Sequence, residues 1–452
     1  MLEYQKRLKN VIPGGAHTYS RGCDQFPLNA PKILEKGLGA YVWAPGGEQY
    51  LDYGMALRAV TLGYANSRVN AAAWRAIEQG NNLTRPSTVE LEAAELMTDL
   101  IPSAHMVKFA KNGSNVTTAA AKIARAYTGR RYICIPRQHP FFSFDDWFIG
   151  TTPLTRGIPK EHVGSTLVFD YGDIGSLETL FAMYPDSIAG VMLEPATTQI
   201  PCASGCENKL TYLTPCTACT NGQSNFLQSI EVLCKKNGAL FILDEMITGF
   251  RWHLQGAQTY FGVTPDLSTF GKGMANGFSV AALVGRREIM DVASIDKPGA
   301  ERTFLLSSTH GGEMSSLAAF IETVKIYKEY DVCAHLWSYG EKFSLAFNAV
   351  ISEIGLNEYF SIVGPAISMN YLTYDSNKVL SMDYRTLFNQ EMIKANVLMP
   401  WIAPSFSHGD KELELTMNAI KSALIIYKKA LNDGVEQYLV GEAIKPVFRK
   451  YN

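Results

Sequence analysis

The chain has 452 residues, a formal net charge of −2 at pH 7, 47% apolar residues and 19% charged residues, which is typical of a globular protein. Nothing in this balance points to nucleic acid or an anionic membrane as a partner, and no apolar run approaches the ~18 residues of a membrane span. The first residues, MLEYQKRLKN, lack the apolar stretch of a secretory signal, so we expect a cytoplasmic protein.

Strand and helix patterns alternate through the middle of the chain. Apolar strand patterns occupy 107–110, 131–135, 166–170, 188–194 and 239–245, and helical patterns occupy 116–129 and 226–238. This alternation predicts an α/β fold with a mainly parallel sheet. Residues 1–50 contain the pattern of a small sheet, and long helical patterns such as 411–432 follow residue 311. We therefore expect a smaller lobe built from both termini.

Two junctions between a strand and a helix are rich in glycine and hydroxyl residues. The first, FAKNGSNVTTAA, contains Gly113, Ser114 and Asn115, and the second is LSSTHGGEMSSLAAF at 306–320. Free N–H groups and the helix dipole at such a junction suit a phosphate or another anion. Taken alone, the first junction is more commonly only a turn.

Asp244 and Lys272 carry the strongest chemical signal. Asp244 ends an apolar strand in FILDEMITGFRW, where a buried carboxylate needs a cation. Lys272 follows another strand and is surrounded by glycine and small residues in STFGKGMANGF. The ordinary interpretation of Asp244 is a helix cap, and that of Lys272 is a solvated loop residue. Alternatively, Asp244 is the partner of a protonated ring nitrogen, and Lys272 is a desolvated amine able to form an imine.

Taken together and in this order, these segments resemble the fold-type I pyridoxal-phosphate enzymes, and among them the class III aminotransferases. The likeness extends from VIPGGAHTYSRG through KNGSNVTTAAAKIARAYTGRR, VMLEP and LFILDEMITGFR to STFGKGMANGF and SSTHGGE. The chain is most similar to the glutamate-1-semialdehyde aminomutase branch and its relatives that transaminate sugars and aminoglycosides.

The resemblance implies a large domain with a seven-stranded, mostly parallel sheet flanked by helices, and a smaller α+β domain. We place the N-terminal segment of the small domain at 1–55, the large cofactor-binding domain at 56–310, and the C-terminal part of the small domain at 311–452. A homodimer with shared active sites is also implied.

The resemblance also assigns roles to individual residues. Lys272 matches the lysine that joins the cofactor pyridoxal 5′-phosphate as an aldimine, and Asp244 matches the acid that pairs with the pyridine nitrogen. Arg21 falls where aminomutases bind a substrate carboxylate. The remaining expected cofactor contacts are Gly113, Ser114 and Asn115 at the phosphate, Ser308 and Thr309 from the neighbouring subunit, Glu194 near the cofactor oxygen and substrate, and Met246 on one ring face.

The chain departs from the family where an aromatic ring stacks on the cofactor. The usual sequence is Tyr-His-Gly or Phe-His-Gly, whereas here it is RQHPFFSFDDWFIG. Alignment through DDWFIG puts Phe141 at the stacking position and Phe142 at the histidine. An aromatic ring is retained, and its polar neighbour is lost.

A cysteine-rich insert at 201–225 also distinguishes the chain from related enzymes, which have a shorter link there. Its pattern, C-x3-C-x9-C-x2-C, fits a tetrahedral structural zinc site. The alternative is a loop with free thiols or disulfides. The four candidate ligands are Cys202, Cys206, Cys216 and Cys219.

The leading hypothesis is an aminotransferase that moves an amino group from an amino acid such as glutamate to a keto or aldehyde sugar or a related small carbonyl compound. The alternative is a glutamate-1-semialdehyde-type 2,1-aminomutase, which moves the group within one molecule. A third hypothesis, a non-catalytic zinc-bearing interaction protein, predicts that the catalytic lysine or the ring acid is missing. Both are present, which argues against it.

Overall fold

The computed structural model of the protein describes residues 2–202 and 224–451. The chain divides into two compact units. The first comprises Met1–Leu57, Leu62–Asn66 and Ala334–Asn452, and the second comprises Arg58–Thr61 and Ser67–Cys333. The helix Met314–Tyr330 thus falls in the second unit.

Thirteen strands occur in the described residues and are numbered in chain order. They are β1 (Lys36–Leu38), β2 (Tyr41–Trp43), β3 (Gln49–Asp52), β4 (Met106–Ala110), β5 (Tyr132–Pro136), β6 (Thr166–Phe169), β7 (Ile188–Leu193), β8 (Leu240–Asp244), β9 (Leu267–Phe270), β10 (Ala281–Gly285), β11 (Phe360–Val363), β12 (Asn370–Thr373) and β13 (Val397–Leu398).

The second unit is built on a seven-stranded sheet of order β4-β10-β9-β8-β7-β5-β6. Strands β6, β5, β7, β8 and β9 pair in parallel, and β10 runs antiparallel to both β9 and β4. The predicted α/β fold with a mostly parallel seven-stranded sheet is therefore confirmed. The α-helices of this unit are Ser67–Glu78, Thr88–Leu100, Gly113–Thr128, Asp146–Ile149, Lys160–Val163, Ile174–Met183, Phe226–Asn237, Ala257–Phe261, Arg287–Met290 and Met314–Tyr330.

Local sequence explains where the helices beside this sheet begin and end. Asn112 caps Gly113–Thr128 by accepting a hydrogen bond from the Asn115 N–H, and Gly129 ends that helix in the left-handed conformation. Its alanine-rich face is buried and packs on β7, β9 and β10. Asn225 forms a capping box at the start of Phe226–Asn237, which packs on β8.

The first unit contains a four-stranded sheet of order β1-β2-β3-β13 and the antiparallel pair β11-β12. Its α-helices are Leu2–Val11, Met382–Lys394, Asp410–Asp433 and the part of Val332–Ile354 that follows residue 333. Helices Met382–Lys394 and Asp410–Asp433 pack against each other. No helix within 2–202 and 224–451 has the length and apolar character needed to cross a bilayer.

Candidate active site

Four predicted site segments meet at one edge of the seven-stranded sheet. Glu194 directly follows β7, Asp244 is the last residue of β8, Lys272 comes two residues after β9, and Gly113 comes three residues after β4. These four strands point in the same direction, since β4 and β9 both run antiparallel to β10. Ligands of such sheets bind at the carboxyl ends of the strands, and the topology brings the four segments to that edge.

Asp244 is a buried carboxylate with two hydrogen-bond donors. Its Oδ1 accepts from the hydroxyl of Thr269 at 2.8 Å and from the backbone N–H of Met246 at 3.0 Å. Burial raises the pKa of Asp244 to about 6, against the lowering effect of these hydrogen bonds and of the nearby Lys272. The two hydrogen bonds therefore orient the carboxylate, and a neighbouring cation would stabilise its charged form further.

Lys272 has a strained and tightly packed backbone. Its φ is 37°, in the left-handed region that non-glycine residues seldom adopt. The carbonyl of the following residue, Gly273, accepts a hydrogen bond of 2.7 Å from the hydroxyl of Tyr327. A Cβ on Gly273 would approach Thr61 Oγ1 to 2.8 Å, so the chain fits here only without a side chain. This packing fixes the lysine at the sheet edge.

The electrostatics around Lys272 favour a neutral amine. Burial lowers the pKa of Lys272, and the positive charge of Arg58 lowers it further, whereas Glu194 and Asp244 raise it. A lysine with a lowered pKa is a nucleophile towards a carbonyl carbon at moderate pH.

Glu194 is a second buried acid of the same cluster, 4% exposed. Burial and the charge of Asp244 raise the pKa of Glu194 to about 8, whereas Lys272 and Arg58 lower it. Its backbone N–H donates to Nδ1 of His139 at 3.0 Å. Burial lowers the pKa of His139 to about 3, so the imidazole is neutral and carries its proton on Nε2. His139 thus acts as a local hydrogen-bond acceptor for the backbone of Glu194.

The predicted phosphate-binding segment forms the first turn of the 16-residue helix Gly113–Thr128. Ser114 is buried, and its Oγ accepts from the N–H of Phe144 at 3.1 Å. A Cβ on Gly113 would lie 3.1 Å from Met246 Cε, and one on Gly271 would clash with Met246 Sδ. Met246 therefore fills the space between these two glycines and leaves part of its side chain accessible.

The two phenylalanines at the aromatic position differ in their surroundings. The Phe141 side chain is 47% exposed, whereas that of Phe142 is 2% exposed. The Phe142 ring packs on the rings of His139 and Phe148, and its carbonyl accepts from the Thr117 hydroxyl at 2.7 Å. An exposed ring is available to stack on a ligand, so the accessible face belongs to Phe141.

The remaining predicted site residues belong to other segments of the chain. Arg21 is exposed and lines a cavity within the first unit. Ser308 and Thr309 are exposed in an irregular segment of the second unit. Cys202 is buried. The three other proposed zinc ligands, Cys206, Cys216 and Cys219, lie outside the described residues. Within the described ranges no group of three or more His, Cys, Asp or Glu residues could hold a metal ion.

Two residues of this cluster were missed by sequence reasoning. Thr269 lies inside a strand, and only the pairing of β9 with β8 shows that it stands directly opposite Asp244. Arg58 is far from Lys272 in sequence and belongs to no motif, yet its charge acts on both Lys272 and Glu194. The residues around Arg58, LDYGMALRAV, offer no signal for this role.

Comparisons with known proteins point to one family. A family description, "Aminotransferase class-III", matches residues 24–167 and 174–353. A 3-aminobutyryl-CoA aminotransferase of Cloacimonas acidaminovorans (strain Evry) is 30% identical over 428 residues, covering 94% of this chain and 96% of that protein. A glutamate-1-semialdehyde 2,1-aminomutase of Alkaliphilus oremlandii (strain OhILAs) is 29% identical over 438 residues, covering 93% and 97%.

A solved structure shows the same fold over nearly the full length. The PLP internal aldimine form of the FumI protein of Sphingopyxis sp. MTA144 superimposes with a TM-score of 0.81 at 25% sequence identity. The match covers 96% of this chain and 97% of that chain.

Proposed function

Because the chain belongs to the class III aminotransferase family, as its motifs predict, we propose that it moves an amino group from an amino acid to a small carbonyl compound with pyridoxal 5′-phosphate as cofactor. The proposed donor is glutamate, and the proposed acceptor is a keto or aldehyde sugar or a related compound. The buried cluster of Lys272, Asp244 and Glu194 at the sheet edge is the observation that carries this proposal.

The residues at this edge fit the proposed cofactor. Burial of Asp244 raises its pKa, and a protonated ring nitrogen is the cation that would stabilise this carboxylate. The first turn of Gly113–Thr128 offers N–H groups and a positive dipole end for the phosphate. Phe141 offers an exposed aromatic face and Met246 a partly accessible apolar side chain for the ring.

Lys272 and its neighbours supply the proton transfers of the reaction. When bound, the cofactor provides an aldehyde that takes up an amine and a ring that accepts the electron pair of the broken substrate Cα–H bond. Nζ of Lys272, with its lowered pKa, is the base that would take the Cα proton. Asp244 would keep the ring nitrogen protonated, and Glu194, with a pKa of about 8, can hold a proton near the reacting atoms.

The proposal includes a homodimer. Ser308 and Thr309 are exposed, and the predicted role of this segment is to reach the phosphate bound by the neighbouring subunit. This part of the proposal is tested by the mass of the purified holoenzyme in light scattering. A monomeric, active enzyme would contradict it.

A half-reaction screen tests the proposed reaction. The holoenzyme is first converted by glutamate to its aminated form, excess donor is removed, and candidate keto and aldehyde sugars are added one at a time. Return of the original visible absorption identifies an acceptor. Absence of any absorption change with a panel of amino acids and keto acids would overturn the proposal.

A matched pair of lysine variants tests whether Lys272 is the amine that joins the cofactor. Borohydride should fix the cofactor to the wild-type chain and to Lys235→Ala, which changes an exposed helical lysine. It should leave Lys272→Ala unlabelled at equal folded content. Labelling of Lys272→Ala at the wild-type level would contradict the proposed role of Lys272.

An aminomutase is the second candidate function, because the chain is similar to the glutamate-1-semialdehyde 2,1-aminomutase of Alkaliphilus oremlandii. An aminomutase needs no external amino acceptor, whereas an aminotransferase stops after one half-reaction without a keto acid. Multiple turnovers of a single amino aldehyde substrate in the absence of added keto acid would favour the aminomutase.

A further inference from the structure

The first unit contains a cavity of about 620 Å³, a volume typical of sites for small organic ligands. Its wall comes from the N-terminal segment between Gln5 and Gly37, from residues near Asp52 and Tyr64, and from the 398–401 segment. The cavity lies wholly within this unit, and only its Arg21 was identified from the sequence.

Cationic side chains dominate the charged part of this wall. They are Lys9, Arg21, Lys32 and Lys36, with His17 beside them. Within 2–202 and 224–451, the side chains of Lys9, Arg21 and Lys32 make no salt bridge or hydrogen bond. Lys36 lies over the ring of Trp43, with its Nζ 5.0 Å from the ring centroid. The cavity therefore holds several positive charges that the described part of the chain does not neutralise.

Of the two acids that line this cavity, one accepts hydrogen bonds from other groups and the other is exposed. Asp52 accepts hydrogen bonds from the N–H groups of Gly54 and Met55 at 2.7 and 3.1 Å and from the Tyr64 hydroxyl at 2.6 Å. Glu35, the other acid in the wall, is exposed and makes no ion pair within the described ranges.

Lys32 is the cation with the clearest energetic reason to bind an anion. It is half-buried, and burial lowers its pKa, against a smaller raising effect of Cys23. A partly desolvated ammonium group without a carboxylate partner is costly, and a bound anion removes that cost. Arginine and lysine together are the usual protein ligands of phosphate oxygens.

We propose that this cavity binds the phosphate-bearing part of an organic phosphate, with Lys32 as its principal cation. A single carboxylate would leave most of the cavity volume and several cations unused, whereas a phosphate monoester carries a charge of about −1.5 to −2 at pH 7 and a diphosphate carries more. Phe26, Pro400 and Trp401 also line the cavity and provide apolar surface for the remainder of such a molecule.

Calorimetric titration of the holoenzyme with inorganic pyrophosphate tests the binding site without requiring turnover. The cofactor occupies its own phosphate site in this experiment, so saturable binding reports on a further site. We expect one site per chain. Lys32→Gln should weaken binding about tenfold or more, because it removes a charge-assisted hydrogen bond. Lys32→Arg should bind within about threefold of wild type.

Lys6→Gln is the matched control, because Lys6 lies on the N-terminal helix Leu2–Val11, is exposed and does not line the cavity. Equal weakening in Lys6→Gln and Lys32→Gln would mean a general effect of charge and would overturn the proposal. So would absence of saturable pyrophosphate binding to the wild type.

Uridine diphosphate, coenzyme A and glucose 6-phosphate, titrated in parallel, identify which organic phosphate binds best. The glutamate half-reaction of the wild-type holoenzyme supplies the independent readout of the proposed function. If pyrophosphate binds as expected and no half-reaction occurs, the cavity proposal stands while the proposed function fails. If the half-reaction occurs but pyrophosphate does not bind, the proposed function stands and the cavity proposal fails.

Discussion

Thr269 and Asp244 stand directly opposite each other on the parallel strands β9 and β8, and the threonine hydroxyl donates a hydrogen bond of 2.8 Å to the carboxylate. Strand pairing thus places an orienting donor on the acid that the sequence identifies as the ring partner. In return, the backbone carbonyl of Thr269 accepts a hydrogen bond of 2.8 Å from the Glu245 N–H. The register of two strands therefore fixes the position of the acid.

The first prediction concerns Thr269→Val, which keeps the side-chain shape and removes the hydroxyl. Loss of this donor should raise the pKa of Asp244 further above about 6, because the hydrogen bond favours the charged form. The stability of the Thr269→Val apoprotein should therefore fall more steeply than that of the wild type as the pH rises from 5 to 8, because the folded form binds its extra proton over a wider pH range. Urea unfolding of the apoprotein at several pH values measures this difference.

Thr269→Ser keeps the hydroxyl and serves as the control for Thr269→Val. Its apoprotein should follow the wild-type dependence of stability on pH. A loss of stability in Thr269→Val that is the same at pH 5 and pH 8 would indicate a packing effect and would contradict the electrostatic explanation.

The register of β8 and β9 also marks where sequence reasoning reaches its limit. Lys272 and Asp244 could be predicted because their neighbours form distinctive motifs, and the sheet could be predicted because apolar strands alternate with helices. Thr269 could not, because a threonine in a strand is ordinary and its facing residue depends on a pairing between distant segments. Arg58 escaped for a similar reason, since its role depends on the position of its charge in space.

The second prediction concerns the stability of the apoprotein. Glu194 has a folded-state pKa of about 8, above the ordinary value of an exposed glutamate. The folded form therefore binds a proton that the unfolded form has released, and stability falls as the pH rises from about 4.5 to 8. The contribution of this one group cannot exceed about 1.4 kcal/mol per pH unit. Because the pKa of Lys272 is lowered in the folded form, its titration makes stability rise with pH, between its folded-state pKa and the ordinary pKa of lysine.

Urea unfolding of the apoprotein between pH 5 and 8 measures this effect. Glu194→Gln should lose less stability than wild type over that range, and Glu178→Gln, an exposed change on the helix Ile174–Met183, should follow the wild type. Parallel curves for wild type and Glu194→Gln would show that Glu194 does not titrate in this window.

The third prediction concerns a strained turn in the first unit. Met55, Ala56 and Leu57 have φ values of 41°, 48° and 63°, a left-handed path that costs non-glycine residues roughly 1–2 kcal/mol each. The Tyr64 hydroxyl donates to Asp52 and accepts from the Ala56 N–H at 2.9 Å. Tyr64→Phe should destabilise the protein by roughly 1–3 kcal/mol in urea unfolding, because it leaves the amide without its acceptor.

Ala56→Gly provides the complementary test of the turn. Glycine adopts the left-handed region without a Cβ penalty, so this change should stabilise the protein or leave it unchanged, and it should partly rescue Tyr64→Phe. A loss above about 1 kcal/mol for Ala56→Gly would show that the added freedom of the unfolded chain outweighs the relief of strain. Nothing in the sequence predicts this turn, since none of its residues is one that usually marks a left-handed path.

Glu245 explains why two acids are adjacent at the end of β8. Successive residues of an extended chain point to opposite sides, so Asp244 and Glu245 have different neighbours. Glu245 is completely buried and accepts hydrogen bonds from the Thr248 hydroxyl at 2.8 Å and from the N–H groups of Ala257 and Gln258 at 2.7 and 2.9 Å. It thus satisfies the start of the helix Ala257–Phe261.

The fourth prediction separates the two acids. Glu245→Gln places an amide NH₂ group against N–H donors and should lower the free energy of unfolding by roughly 2–4 kcal/mol. Its remaining folded fraction should still bind the cofactor with the wild-type absorption. Asp244→Asn should have the opposite effects. Its apoprotein should be at least as stable as the wild type, because a buried acid of raised pKa is removed. The rate of its half-reaction should fall to a small fraction of the wild-type rate. If Glu245→Gln folded normally and lost the reaction, the division of roles between these neighbours would be wrong.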